Sequence, residues 1–408
     1  MFRIAWRNLW RNRARTLISI TAISLSYAMF LISIGFADSM YDDMEVAASE
    51  MVGGNVLIHR KGYWESQTNE KFIADPAPIL AKVAQTKDIK TAASRVITEG
   101  LLSTSAASSA TRLMGVDPTV EQDFSNPSKY LHHGKFFDET EEAPLVIGAK
   151  TAKTLNVDVG DRVVLTVTAP GGEMQRALFY VTGILKAGVA SIDDGPAYTT
   201  ISAAQNALGI GVGLTQIGLL TETVNQAQVK AEVAKTLPAE FEILTWDEAM
   251  PDLVGMIELD AAFGDIYGII IFIVVVFAVM NTFLMIVMER IRELGLLAAL
   301  GLKPSQVARL LLIESFLMAI VSVIIGFGLG YLGHTLINAI GIDMNDIYGT
   351  NVEMGGITMV DTILHSKINE PRWIKATISV LGLVMLGAVY PAYKASKLNP
   401  SQAMRFFQ

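Results

Sequence analysis

Four clusters in this chain have residue types that could do chemistry: His132-His133, Gly134-Lys135, Asp193-Asp194-Gly195 and the charged run Glu289, Arg290, Arg292, Glu293. A metal site needs ligands spaced to converge on one point. The adjacent histidines lack HExxH spacing and read as a surface loop. Asp193-Asp194-Gly195 lacks the further oxygen ligands of a calcium loop, so turn chemistry is the better reading. Gly134-Lys135 is followed by Phe136 and has no upstream glycine, so it is not a GxxxxGK[ST] phosphate loop. No GxSxG elbow occurs, and the absence of cysteine excludes thiol catalysis, Cys-ligated zinc and a disulfide framework. No catalytic residue, metal ligand or bound cofactor is expected in this chain, and nothing points to nucleic acid.

The charged run is set apart by the residues after it. Met288–Arg309 reads MERIRELGLLAALGLKPSQVAR. Glu289, Arg290, Arg292 and Glu293 make one charged helical turn. Leu294, Leu297 and Ala298, with Gly295 among them, make a small apolar face. Gly301 can end the helix, and Pro304 can open the next one after Lys303. Such a helix can dock in a groove of a soluble partner. Equally, a basic turn beside a membrane can do no more than set topology.

The elements that carry these residues are long and apolar. Charged residues make up only 18% of the 408 residues, against ~25% in soluble domains, and 51% are hydrophobic. Four runs can cross a bilayer, which takes ~20 helical residues. They are Thr16–Phe36, Ile266–Val287, Leu310–Gly333 with the single acid Glu314, and Ala376–Tyr393 with Pro391 near its end. The first is read as an uncleaved anchor, because its apolar stretch exceeds a signal-peptide core. Basic residues orient the spans. Residues 1–15 carry five arginines and no acid, 288–309 a net +2 and 394–408 a net +3, against −15 over 38–265. Both termini and the middle loop are therefore expected in the cytoplasm, with 38–265 and 334–375 on the other side. The expected division is an amphipathic helix over 1–15, spans over 16–37, 266–287, 310–333 and 376–393, a cytoplasmic loop over 288–309 and a tail over 394–408.

Residues 38–265 are long enough for a core of their own. Phe36, Met40, Met44, Ala48 and Met51 on one flank recur at helical spacing, as do Trp246, Met250, Leu253, Ile257 and Ala261 on the other. These predict two amphipathic stalks. Thr245 and Glu248 form a capping box, and Pro251 kinks the second stalk or leaves its first turn irregular. Between them, strands are predicted at 55–59, 162–168, 177–185, 198–201 and 216–220, with helices at 77–85, 150–155, 203–208 and 224–237. The fold class expected is thus an α-helical membrane protein with a large mixed α+β domain on helical stalks. Polar groups in the spans are few: Asn281, and Glu314, placed to pair with Arg309 or Arg292. Gly326-x-x-x-Gly330 and Gly264-x-x-x-Gly268 are small-residue faces where helices approach closely.

Four segments resemble the permeases of the MacB/FtsX/LolC–LolE class, the type VII ABC transporters. The 289–301 run is similar to their ER-x-RE-[IL]-G-x-L-x-A-[LIM]-G signature. RIAWRNLWRNRART near the start resembles the basic helix before their first span. LVIGAKTAKTLNVDVGDRVVLTV (145–167) resembles a stretch of their extracytoplasmic domain. YPAYKASKLNPSQAMR (390–405) resembles their ending, with Gln402 where Glu is usual. The resemblance implies a bacterial inner-membrane subunit that pairs with a second permease, identical or homologous, and binds two copies of a separate ATPase that holds the ATP and magnesium. It implies that 289–304 is the coupling helix, with Glu289, Arg290, Arg292, Glu293, Leu294, Gly295, Leu297, Ala298 and Gly301 forming the ATPase contact. Motion would pass through the second span to the outer domain, working by mechanotransmission rather than through a polar channel.

One permease with four spans and no fused ATPase looks most like the LolC/LolE subgroup, which implies a lipoprotein or envelope-lipid substrate and a periplasmic carrier or adaptor. An apolar cavity between two copies would then be lined by Tyr27, Phe30, Ile34, Phe36 and Met40 of the first span and stalk and Phe263, Tyr267, Ile270 and Ile271 of the second. One departure concerns the carrier. The hairpin at Ala169–Glu173 turns too tightly to be the long docking loop of the LolC type. Two alternatives therefore stay open: the permease of a MacB-like tripartite efflux or export pump, and an FtsX-like scaffold that activates an envelope hydrolase.

Overall fold

Uncharged runs longer than a bilayer needs become single helices that outrun the membrane. The computed structural model describes residues 2–11, 13–138, 141–188, 190–222, 225–299, 302–344, 353–354, 357–358 and 363–397. Among these, four helices are long and apolar enough to cross a membrane: Arg13–Val52, Pro251–Glu289, Pro304–Ile340 and Glu370–Ser396. Gly301 and residues 398–408, including Gln402 and Arg405, lie outside the described residues, as does Val224 at the predicted start of a helix.

The chain divides into two units. The first comprises 1–42, 258–343 and 363–408. Its core joins Ile20, Ile23, Tyr27 and Leu31 of the first long helix to Val279 and Phe283 of the second, Met318 and Ala319 of the third and Trp373, Val380 and Val384 of the fourth. The glycine face of the third helix is used as expected. A Cβ on Gly326 would lie 2.7 Å from the Ser24 carbonyl oxygen, and one on Gly330 3.0 Å from Leu31. The other glycine pair is used by half. Gly268 lies under Phe30, while Gly264 faces open space. Pro304 opens the third helix at N1, as read from sequence. That helix runs to Ile340 and the fourth begins at Glu370.

The second unit comprises 43–257 and 344–362. The strands of its ten-stranded sheet are β1 (Val56–Arg60), β2 (Ile89–Ser103), β3 (Ser108–Val116), β4 (Leu131–Gly134), β5 (Pro144–Gly148), β6 (Arg162–Thr168), β7 (Met174–Leu185), β8 (Ala197–Thr200), β9 (Gln216–Thr221) and β10 (Phe241–Thr245). The order is β10-β1-β9-β2-β3-β8-β5-β7-β4, and β6 pairs with both β2 and β7. That double pairing closes a ring of β2, β3, β8, β5, β7 and β6. The N-terminal half of β2 instead pairs with β9, in an open sheet with β1 and β10. One strand thus belongs to both substructures. Leu102, Leu113, Leu145, Ile147, Val163, Leu165 and Phe179 are buried within this unit.

The stalk readings need one adjustment each. Met51 is exposed at 57%, and Val52 takes the buried place after Met44 and Ala48, because helical spacing from Ala48 favours i+4 here. The capping box of Thr245 and Glu248 is present on a one-turn helix, Trp246–Ala249. Met250 then leaves helical geometry and Pro251 starts the long helix.

Candidate functional site

The turn after the second long helix gathers charge from four helices. That helix ends at Glu289, Arg290 stands in the turn, and a short helix runs Ile291–Ala299. Glu314, 4% exposed on the third long helix, accepts 3.1 Å hydrogen bonds from Arg290 at both oxygens and one of 2.8 Å from Asn8 Nδ2. A carboxylate this buried stays charged only when paired and hydrogen-bonded, and Arg290 with Asn8 meets both needs. Arg290 Nε also reaches Glu293 at 3.4 Å, and Arg11 donates to the other Glu293 oxygen at 2.6 Å. The Arg11 guanidinium holds the Glu293 carboxyl below the usual carboxylate range. Arg15, at the start of the first long helix, grips Glu289 through both terminal nitrogens. The cluster lines a cavity of about 200 Å³ with Thr16, Ser19, Thr282 and Phe283.

The junction ties the N-terminal helix Phe2–Leu9 to the bundle. Its Ala5 and Leu9 are buried, while Phe2, Ile4, Trp6 and Trp10 are exposed. A Thr16 hydroxyl bond to the Leu9 carbonyl, 2.6 Å, holds the bend between the two helices.

The expected coupling residues divide by face. Leu294 is buried against Val287, Val307 and Leu311, and Gly295 is buried beside it. They hold the short helix to the bundle and are not open to a partner, a correction to the apolar face read from sequence. Glu289, Arg290 and Glu293 are engaged within the chain. Arg292 and Leu296 face outward, Leu296 at 54% exposure. Leu297 and Ala298 lie on the same helix, with side chains outside the described residues. Glu314 does not pair with Arg309 or Arg292. Arg309 is five residues away, about 140° around the helix, and Arg292 points outward. Sequence reasoning marks Arg11 and Arg15 only as topology charges and does not single out Asn8 or Leu296. The one available signal is the repeat of Arg3, Arg7, Arg11 and Arg15 every four residues, which marks one helical face.

The candidate cavity residues also separate. Tyr27 is 1% exposed and its hydroxyl meets Thr377 Oγ1 at 2.5 Å, so it packs the bundle and cannot line an open cavity. Phe30 meets Phe272 edge-on, ring centroids 4.8 Å apart, and Ile34 packs on the same core. Phe36 and Met40 are half-buried. Phe263, Tyr267, Ile270 and Ile271 are exposed, in line with a helix whose apolar window is only 11% buried, against 50% for the third. Elsewhere, Asp193 accepts backbone N–H bonds from Ala187 and Gly188 as a turn residue, and Asp194 pairs with Lys150 at 2.6 Å. His132 and His133 are exposed on β4. The tight hairpin closes through Ala169 N to Glu173 O at 2.8 Å.

Comparison with known proteins agrees with this layout. The family described as MacB-like periplasmic core domain matches residues 16–236, and FtsX-like permease C-terminal matches 266–400. The chain is 23% identical over 420 residues to the lipoprotein-releasing system transmembrane protein LolC of Neisseria meningitidis serogroup B, covering 96% of this chain and 94% of that protein. It is 20% identical over 414 residues to LolE of Haemophilus influenzae, covering 99% and 98%. The periplasmic region of MacB from Actinobacillus actinomycetemcomitans matches 48% of this chain and 90% of its own at 17% identity, with a TM-score of 0.35.

Proposed function

This chain belongs to the ABC-transporter permeases that combine a MacB-like periplasmic core domain with an FtsX-like C-terminal domain, and on that footing we propose that it couples ATP hydrolysis in a separate subunit to work across the bacterial inner membrane. The observation that carries this is the charged junction. A push on the short helix Ile291–Ala299 reaches the third long helix through Arg290–Glu314 and the first through Arg11–Glu293 and Arg15–Glu289, while Arg292 and Leu296 are left outward for the ATPase. ATP and magnesium belong to that subunit. The arginine-rich end then lies in the cytoplasm and the unit 43–257 outside it. Co-purification of the ATPase tests the contact. Leu296→Asp and Arg292→Glu should each reduce capture at least tenfold with the melting temperature unchanged, and full capture by both variants would remove the assignment.

The cargo we propose is lipidated, a lipoprotein or envelope lipid passed to a carrier. The support is the exposed apolar side of the second long helix, with Phe263, Tyr267, Ile270 and Ile271, together with relatives named as parts of lipoprotein-releasing systems. Mass spectrometry of what co-purifies in mild detergent tests it. Triacylated lipoprotein is expected, and its repeated absence would count against the reading. The short hairpin at Ala169–Glu173 favours a second reading, an export permease working with an adaptor. Recovery of an adaptor in place of a carrier would select it, and recovery of an envelope hydrolase would select a scaffold role.

A further inference from the structure

The C-terminal end of the Arg13–Val52 helix meets a buried polar cluster that the charged junction does not explain. Arg95 is 0% exposed, at the point where β2 leaves β9 and joins β3. Its Nε and Nη2 bond Glu121, itself 1% exposed, at 2.7–3.0 Å, and Ser125 donates to the same carboxylate at 2.6 Å. The guanidinium stacks over Phe124, 4.9 Å from its centroid. Nη1, without a side-chain or backbone acceptor of its own, lies against Gly53, where a Cβ would stand 1.7 Å from it. The end of a helix carries unsatisfied carbonyls and partial negative charge, so a buried cation there is favourable.

Neighbouring contacts fix the same end. Gln216 of β9, also buried, donates to the Val52 carbonyl at 2.8 Å and is held on its other side by His59 at 3.0 Å. Gly53 and Gly54, at φ 98° and 145°, turn the chain sharply so that both N–H groups reach Ser49 O. A Cβ on Gly218 would lie 1.9 Å from Gly53 O, so the strand and the helix end touch backbone to backbone. Two turns earlier Gln226 bonds Glu45 at 2.7 Å. At the second stalk Trp64 Nε1 donates to the Ala249 carbonyl at 3.0 Å, but among the described residues no buried ion pair stands beside it. This stalk enters by the single turn Trp246–Ala249 and breaks at Met250, φ −127° and ψ 61°, before Pro251. Directional hydrogen bonds between buried groups define one arrangement, where an apolar contact would allow sliding.

We propose that Arg95 is a positioning residue that, with Glu121 and Gln216, latches the first stalk to the strand shared by sheet and ring, so that both move with this helix as one body while Met250–Pro251 takes up the change in angle. Its use in transport rests on the coupling reading above. The chain lacks cysteine, so Val46→Cys and Val212→Cys, both at exposed positions, give a clean pair for spin labels. The full chain is studied in nanodiscs with its ATPase and second permease, unlabelled chain in excess, before and after trapping with ATP and vanadate. The label distance should be single, narrow and the same in both states. Arg95→Met with Glu121→Leu fills the site with apolar side chains and keeps the fold, and Gln216→Met is the second variant. In each, with melting unchanged, the distance should broaden and acquire a shift on trapping. A stabilising role alone would move melting and produce no nucleotide-dependent shift. A nucleotide-dependent distance in the unmodified pair, or a narrow invariant distance in both variants, overturns the latch. A chain that captures no ATPase but keeps the narrow distance sinks the coupling reading and leaves the latch supported.

Discussion

His59 makes the folded unit sensitive to acid. Burial pushes its pKa from 6.5 down to about 4, against an opposing hydrogen bond with Gln216. The unfolded chain takes up a proton below 6.5, whereas the folded one does not until about 4. The unfolded state therefore binds more protons in that window, and stability falls as pH falls through it, by about 3 kcal/mol at most. Melting of the full chain followed from neutral to acid pH should show this loss, and His59→Gln should remove most of it. An unchanged acid slope in the variant would exclude His59 as its source. The buried pair Arg290–Glu314 gives a second expectation at this scale. Arg290→Met strands a buried carboxylate and should cost about 3 kcal/mol or more, while Arg290→Met with Glu314→Leu should restore most of the stability. Chemical denaturation in detergent compares the two. The sequence points to Glu314 as the odd acid of the third span but not to its partner, because a pairing twenty-four positions apart depends on how two helices dock.

Helices are legible where their cause is local. Uncharged runs, the Thr245–Glu248 box and the Pro304 start all appear where residue types place them. The strands show the opposite. β6, β7 and β9 are rich in branched and aromatic residues and can be read within a few positions. β2 (IKTAASRVITEGLLS) is rich in Ala, Ser, Thr and Gly, and its fifteen residues escape the sequence reading. Its pairing is set by three neighbours, β9, β3 and β6, and not by its own pattern. The glycine faces give the test at this scale. Gly326→Leu forces side-chain atoms toward the Ser24 carbonyl and should cost about 1–3 kcal/mol. Gly328→Ala, with nothing within 4 Å of its Cβ, should be nearly silent. Equal melting of the two proteins would mean that the first and third helices do not approach as closely as described.

At the scale of the whole molecule, the second long helix exposes Ile266, Ile270 and Phe277 along much of its length, more apolar surface than one chain covers. We propose a second permease as its occupant. Ile270→Cys in the cysteine-free chain should cross-link to it in native membranes, and the mass of the product tells an identical partner from a homologous one. No product at 266, 270 or 277 would remove this face from the pairing surface. The pairing of β1 has a consequence in time. Val56 lies between Leu219 and Thr245, so the strand after the first long helix cannot be completed until nearly the whole segment has been made and exported. At ~5–20 residues per second that is on the order of ten seconds or more in which β1 has two open edges. Ring closure by β2 and β6 is similarly non-local and slow to form. During biogenesis the newborn domain should therefore depend on holding factors outside the membrane, and its yield should fall first when export outpaces them.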